Sequence, residues 1–302
     1  MSDSTAPAPA RVESPFIRIL RAFMEDPVAV IGLVLFALVA LIALAAPWIA
    51  PQNPYDLAQL NIMDGGLPPG SKSFSGDMTY WLGTDTQGRD MLSAIMYGLR
   101  ISLMVALTSL ALAITIGTVL GVTAAYFGGR IDSLIMRIVD LQLSFPAILI
   151  ALILLALLGR GVDKVIMALV LVQWAYYART VRSSAIVERR KDYIDAARCL
   201  GLSNRRIMFR HLLPNCVPPL IVVATVQIAQ AIALEATLSF LGVGVPITEP
   251  SLGLLIANGY DYLLSGRFWI SLFPGIALVI TIVAINLVGD RLRDILNPRL
   301  QR

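Results

Sequence analysis

The chain has 302 residues, 57% of them hydrophobic and only 15% charged, with a formal net charge of +4 and a mean hydropathy of +0.75. A soluble domain carries about a quarter charged residues. The composition, with its long uninterrupted apolar runs, therefore excludes an ordinary water-soluble globule.

Residues 1–27 read as a cytoplasmic tail. Its start, "MSDSTAPAPARVESP", is rich in Pro, Ala and Ser and has no basic stretch leading into an apolar core, so it predicts disorder and not a cleaved signal. The first apolar run, Val28–Ala46, is long enough to cross a bilayer at 1.5 Å per residue. Residues 47–100 form an extracytoplasmic loop, with turn formers in "PQNPYD" and "DGGLPPGSKSFSGD". The loop closes on "WLGTDTQGRDMLSAIMYGLRISL". Thr84 or Asp85 can cap a helix there, and Met91, Leu92, Ile95, Met96 and Leu99 share one of its faces. That spacing predicts an amphipathic helix lying on the outer interface, either as a membrane anchor or as a docking surface for an external partner.

A core unit, 101–290, follows. It opens with the span Ile101–Phe127 and continues with Leu141–Leu158, Val165–Ala178, Pro218–Phe240 and Phe268–Val288. Val165–Ala178 is short enough to be a re-entrant or core helix. Charge decides in favour of a span, because the greater part of the 24 Lys and Arg then falls on one side. The basic residues lie between apolar runs, where they set membrane orientation, not nucleic-acid affinity. The positive-inside rule places both termini in the cytoplasm, and Trp174, Tyr176 and Tyr177 suit an interfacial belt. The expectation is an all-α integral membrane protein of six transmembrane helices, N-in and C-in, ending in a cytoplasmic tail, 291–302. Asp290, Arg291, Arg293 and Asp294 predict a local charge cluster there, and Arg299 and Arg302 add to the basic end. The runs lack the period-two alternation of a membrane barrel, and no inverted repeat is visible.

The cytoplasmic loop 179–217 contains "DYIDAARCLGLSNRRIMFRHLLPN". A first helix ends at Gly201; Ser203 or Asn204 caps a second, which Pro214 closes off. The result is a bent helix pair with Arg205, Arg206 and Arg210 around the bend. Periodicity leaves two uses open, insertion into a partner's groove or attraction to anionic lipid.

Polar residues within spans face protein or a water-filled cavity, which makes Gln173, Gln227, Gln230, Glu235 and Asn286 the pore or gate candidates. Gln227 and Gln230 share a helix face. Glu235 reads either as a substrate-facing gate or as a hydrogen-bonded carboxylate that fixes the turn after it. The two cysteines, Cys199 and Cys216, and the single histidine, His211, have no metal-ligand spacing. No Gly-x₄-Gly-Lys loop is present, so the chain has no phosphate cradle of its own.

Asp195-Ala196-Ala197, Gly201 after three intervening residues, and Leu213-Pro214 beyond resemble the Glu-Ala-Ala loop of ABC importer permeases. Asp195 stands where that family often has Glu, and His211 where it has Ile. "LGTDTQGRD" (82–90), "EATLSFLGVGVP" (235–246), "FPGIALVITIVAINLVGDRLRD" (273–294) and "NPR" (297–299) are similar to the dipeptide and oligopeptide branch, in its C-type subunit. The resemblance implies the type I (MetI-like) permease fold in the bacterial inner membrane. It implies a second homologous permease, two ABC ATPases that carry ATP and Mg, an extracytoplasmic peptide-binding protein and surrounding lipid as partners. No nucleic acid is involved, and this chain itself binds no cofactor and performs no catalysis. Asp195, Ala196, Ala197, Gly201, Leu202, Ser203, Asn204, Arg205 and Arg206 become the ATPase-coupling residues, and Thr84, Asp85, Gly88, Arg89 and Asp90 the binding-protein docking candidates. Relatives with these motifs also carry nickel, glutathione-like molecules or opines. A self-contained secondary transporter or channel built on Glu235 is the reading from another class.

Overall fold

A computed structural model describes residues 15–246 and 248–296. The readings made on residues 1–14, on "NPR" and on Arg299 and Arg302 lie outside the described residues.

The part of the tail that is described is a helix, α1 (Pro15–Met24), and not disordered chain. Asp26 separates it from α2 (Pro27–Ile49). The Asp26 carboxylate accepts from the amides of Val28 and Ala29, and Pro27 supplies a preset first helical residue. At the other end of the chain, Arg291 donates to the Ala22 carbonyl at 2.6 Å and lies 3.6 Å from Asp26. The expected local cluster of Asp290, Arg291, Arg293 and Asp294 is thus corrected: Arg291 reaches across to pin the α1–α2 joint, because a long guanidinium finds orphan carbonyls at that helix end.

The outer loop holds one short hairpin, β1 (Ser71–Lys72) with β2 (Thr79–Tyr80), in an otherwise helical molecule. α3 (Met91–Phe127) then runs unbroken for 37 residues. The expected interfacial helix is therefore the first turns of this span. Met91, Ile95 and Leu99 are buried, and at Gly98 an added Cβ would sit 3.2 Å from Leu252. Asp90, and not Thr84 or Asp85, is the cap; its Oδ2 accepts from the Ser93 amide and hydroxyl at 2.9 and 2.6 Å.

α4 (Gly129–Leu143) and α5 (Ala147–Leu158) meet at a 90° bend. The expected straight span Leu141–Leu158 is corrected, because Pro146 lacks an amide donor and disfavours helix in the residue before it. α6 (Val162–Glu188) extends well beyond the short apolar run in its middle. It packs along α3 through Gly117 and Gly121, where an added Cβ would lie 2.5 Å from the carbonyl oxygens of Trp174 and Ala178 respectively. Glycines four apart let two backbones approach in this way.

After α7 (Asp192–Cys199) come α8 (Asn204–Arg206), a π-helical segment (Ile207–Leu212), a 3₁₀ turn (Leu213–Cys216) and α9 (Val217–Phe240). α10 (Leu252–Tyr260) and α11 (Trp269–Leu296) complete the described chain. By length and composition, α2, α3, the stretch Asn204–Phe240 and α11 are able to cross a membrane, and the bent α4–α5 pair makes a fifth if taken as one span. Among the described residues two large apolar cores lie along the bundle, and a small third one joins Phe23, Ala29 and Ile295. One large core joins the outer halves of α3, α6 and α9 to α10 and α11, and the other joins the inner ends of α3 and α6 to α7 and the π-helical segment.

Candidate functional site

The polar island in the middle of the chain folds as an elbow on the inner core. α7 begins with Asp192 and Asp195 in its first turn and has Arg198 in its last, the signs that a helix dipole favours at each end. Ile194 and Ala197 are buried in the inner core, whereas Asp195, Ala196, Arg198, Cys199 and Leu200 face outwards. Ala197 is thus a packing residue, and Ala196 is the small residue left for close approach. Gly201 adopts φ +70°. The Leu202 amide bonds back to the Ala197 carbonyl, and the Gly201 amide to that of Arg198. This pair of bonds is a Schellman stop, which needs a left-handed residue at the position of Gly201.

The second arm departs from expectation. Pro214 does not end it. The π-helical turn, in which the Leu213 amide reaches the Met208 carbonyl, widens the ladder so that Pro214 passes without a donor. Pro218 and Pro219 then occupy the first positions of α9. The arm is therefore the inner end of a 37-residue rod, Asn204–Phe240. Ser203 holds the cap position with no side-chain bond. Asn204 instead accepts from the Tyr126 hydroxyl at 2.7 Å, which ties the elbow to the end of α3.

Four residues that sequence reasoning missed brace the bend. Glu188 at the end of α6 accepts from the Tyr193 hydroxyl (2.9 Å) and from Lys191 (2.6 Å), and Asn215 donates to the Tyr193 oxygen at 3.0 Å. One tyrosine thus joins α6, α7 and the foot of α9. Burial, reinforced by Glu188, pushes its phenol up to about 12, so it stays a neutral donor. Nothing in the spacing of these residues flagged them; only the Asn of "LPN" stood inside a recognised motif. Leu200 was also missed, and it is 78% exposed at the elbow's tip. Arg205, Arg206 and Arg210 line a groove of about 450 Å³ beside it, together with Phe209 and Pro214.

Beside the elbow, Asp132 on α4 takes a bidentate pair with Arg182, both bonds at 2.6 Å.

The outer-loop candidates all turn inwards: Thr84, Asp85, Gly88, Arg89 and Asp90 are buried. Thr84 accepts from the Leu67 amide (2.8 Å), donates to the Asp64 carbonyl (2.5 Å), and receives Trp269 Nε1 on its own carbonyl (3.1 Å). Asp85 Oδ1 accepts from the amides of Gln87 and Arg89 at 2.8 and 2.9 Å. Burial nonetheless raises its carboxyl above the ordinary range, against the pull of those bonds and of Arg89. Gly88 sits at φ +77° against Asn61. The motif is a knot that shapes the loop and fastens it to α3 and α11.

The pore candidates do not converge. Gln173 donates to the Gln227 backbone carbonyl at 3.0 Å, and both side chains are buried. Gln230 and Asn286 lie exposed on different helices. Glu235 is fully buried and accepts from Ser102 and Ser239, both at 2.8 Å. Ser239 in turn receives the Val245 amide at 3.3 Å. Within this chain the carboxylate is thus tied to the turn that follows α9.

Residues 117–302 match the family described as binding-protein-dependent transport system inner membrane component, and residues 14–69 match the N-terminal transmembrane domain of oligopeptide transport permease C. The chain belongs to this permease family. The permease is 36% identical to the di/tripeptide transport system permease DppC of Pseudomonas aeruginosa, over all of this chain and 98% of that one. It is 39% identical to the dipeptide transport system permease DppC of Escherichia coli, over 99% and 97%. Its fold is that of the MetNI methionine ABC transporter's inward-facing structures, with a TM-score of 0.55 at 22% identity over 68% of the permease and 98% of the solved chain. It is a multi-pass inner-membrane subunit of an ABC importer and not an enzyme.

Proposed function

We propose that this permease carries di- or oligopeptides as one half of a heterodimeric pore. Full-length similarity to named dipeptide and di/tripeptide permeases is the observation that carries this reading. In the proposed topology six helices span the membrane with both termini inside, α6 being the sixth despite its charges. A second permease completes the pore, two ATPases bind below it, and an extracytoplasmic binding protein delivers the cargo from above. ATP and Mg belong to the ATPases, and this chain holds no cofactor.

The elbow is the proposed ATPase contact. Leu200 and Ala196 would enter a groove on the ATPase, with Asp195 and Gly201 to Arg206 around them. The unbroken helical stretch from Asn204 to Phe240 supports this role, since it leads from the elbow to the outer end of α9. A ligand moves a two-state equilibrium only by binding the states differently, and the elbow is where ATP-dependent closure would be felt. The docking role of the 84–90 knot is proposed as indirect: it holds the outer loop's shape and leaves exposed residues such as Gln87 to make contact.

The test is ATP hydrolysis coupled to dipeptide uptake in reconstituted vesicles. Gly201→Pro forces a φ near −65° where +70° is required. Gly201→Pro and the double change Arg205→Glu, Arg206→Glu are expected to lower coupled hydrolysis at least about tenfold, which is ~1.4 kcal/mol of lost coupling, with insertion unchanged. Normal coupling in both variants rejects the elbow as the contact.

A further inference from the structure

On the outer face a cavity of about 360 Å³ opens where the 85–87 turn, the α5–α6 loop, the turn after α9 and α10 meet. Its volume lies at the small end of ligand sites. Its charges are unusual. Arg160 and Asp261 both line it, both are exposed, and among the described residues neither side chain has an ion-pair or hydrogen-bond partner, including each other. Asp85 also lines it. Both backbone amides that reach Asp85 end on Oδ1, and its other oxygen makes no hydrogen bond among the described residues. Asn258 adds an amide that both donates and accepts.

Opposite charges kept apart within one cavity are the complement of a small zwitterion. A short peptide carries a carboxylate, which a guanidinium grips in bidentate fashion, and an ammonium, which suits an unpaired carboxylate. We infer that this cavity is a subsite on the permease itself for the two charged ends of a short peptide, with Arg160 on the carboxylate and Asp261 on the ammonium. The inference rests on the peptide-import reading above and adds a place and two named contacts to it. A loop of a docked protein is the competing occupant. Tyr262 and Arg160, residue types that also anchor protein interfaces, are both in the lining, but the unpaired charges of both signs within one small cavity match the two ends of a short peptide.

The site is also connected. Ser239 lines it and bonds both Glu235 and the Val245 amide. Ser239 stands at the outer end of the rod whose inner end is the elbow. Occupancy at the cavity is therefore registered on the helix that meets the ATPase.

The experiment uses the complete importer in oriented vesicles, with Asn258→Cys on a Cys199→Ser background and a membrane-impermeant maleimide outside. Ala257→Cys, on the same rim, serves if the first variant does not assemble. Dialanine slows labelling without the binding protein present, and its C-terminal amide and N-acetyl forms do not at equal concentration. Arg160→Gln raises the dialanine needed for the same protection about tenfold, as expected for one lost charged hydrogen-bond pair, and Asp261→Asn erases the distinction from the N-acetyl form. Unchanged labelling, with wild-type vesicles still taking up labelled dialanine, overturns the subsite and leaves the peptide reading intact. Because Gln87 is both a proposed docking residue and part of the rim, protection by the binding protein overturns the subsite only when dialanine gives none in its absence, and it then assigns the cavity to docking. No dialanine uptake by the wild type and no protection overturns both readings.

Discussion

At Asp85 a charge sits where burial disfavours it. A folded-state value raised above the unfolded one means that the folded chain takes up the proton more readily. Its stability therefore falls as pH rises from the ordinary aspartate range to that raised value, and the loss persists at neutral pH. Both amide bonds end on one oxygen, which asparagine retains. Asp85→Asn is therefore expected to leave the thermal midpoint of the solubilised permease unchanged or raised. Asp85→Ala leaves the buried Arg89 amide and the part-buried Gln87 amide without a partner and costs about 1–3 kcal/mol. A lower midpoint for the asparagine variant than for alanine would contradict this. Glu235 is argued in the same way. Glutamine offers one acceptor and one donor, and serine hydroxyls serve as either, so Glu235→Gln keeps its bonds to Ser102 and Ser239 and retains ATP-driven uptake within severalfold. Glu235→Ala orphans both hydroxyls and lowers the midpoint. Lost uptake in the glutamine variant at an unchanged midpoint would restore an ionisable role for Glu235.

At the scale of elements, the most extensive helix packing is that of α3 with α6. Gly117 and Gly121 form a Gly-x₃-Gly pair in an apolar run that the sequence reading passed over, and a small-residue face does not say which helix it meets. With backbone oxygens 2.5 Å from the added carbon, the two helices have no room to give. Gly121→Val is expected to abolish monodisperse, detergent-stable protein, whereas Ser133→Val on the exposed side of α4 leaves the elution profile as in the wild type. Equal profiles for the two would show that α3 and α6 do not rely on this approach. The interfacial helix was misjudged for a related reason. Met91, Ile95 and Leu99 form an apolar face in either setting, and only α10 lying against Gly98 distinguishes protein from lipid as their cover.

Across the whole molecule, the outer knot, the Glu235 network and the elbow lie on one mechanical line. Trp269 fastens the loop to α11, Ser239 fastens the outer turn to α9, and α9 continues inwards to Arg206. A rod of 37 residues is about 55 Å long at helical rise, enough to pass from one membrane face to the other. Of this line the sequence supplied the ends: a basic segment that must lie inside, a bend that Gly201 permits, and a turn-rich loop that must lie outside. It also decided the membrane class, the apolar spans and the lack of a nucleotide cradle, because these depend on local composition, run length and charge. Whether Pro214 stops a helix or is absorbed by a π-turn, whether Glu235 is tied to the turn after α9, and whether Arg160 and Asp261 share a cavity were decided only in three dimensions. They depend on partners 5 to more than 100 residues away, and such a hydrogen bond or close approach is not announced by the hydrophobic period of the chain.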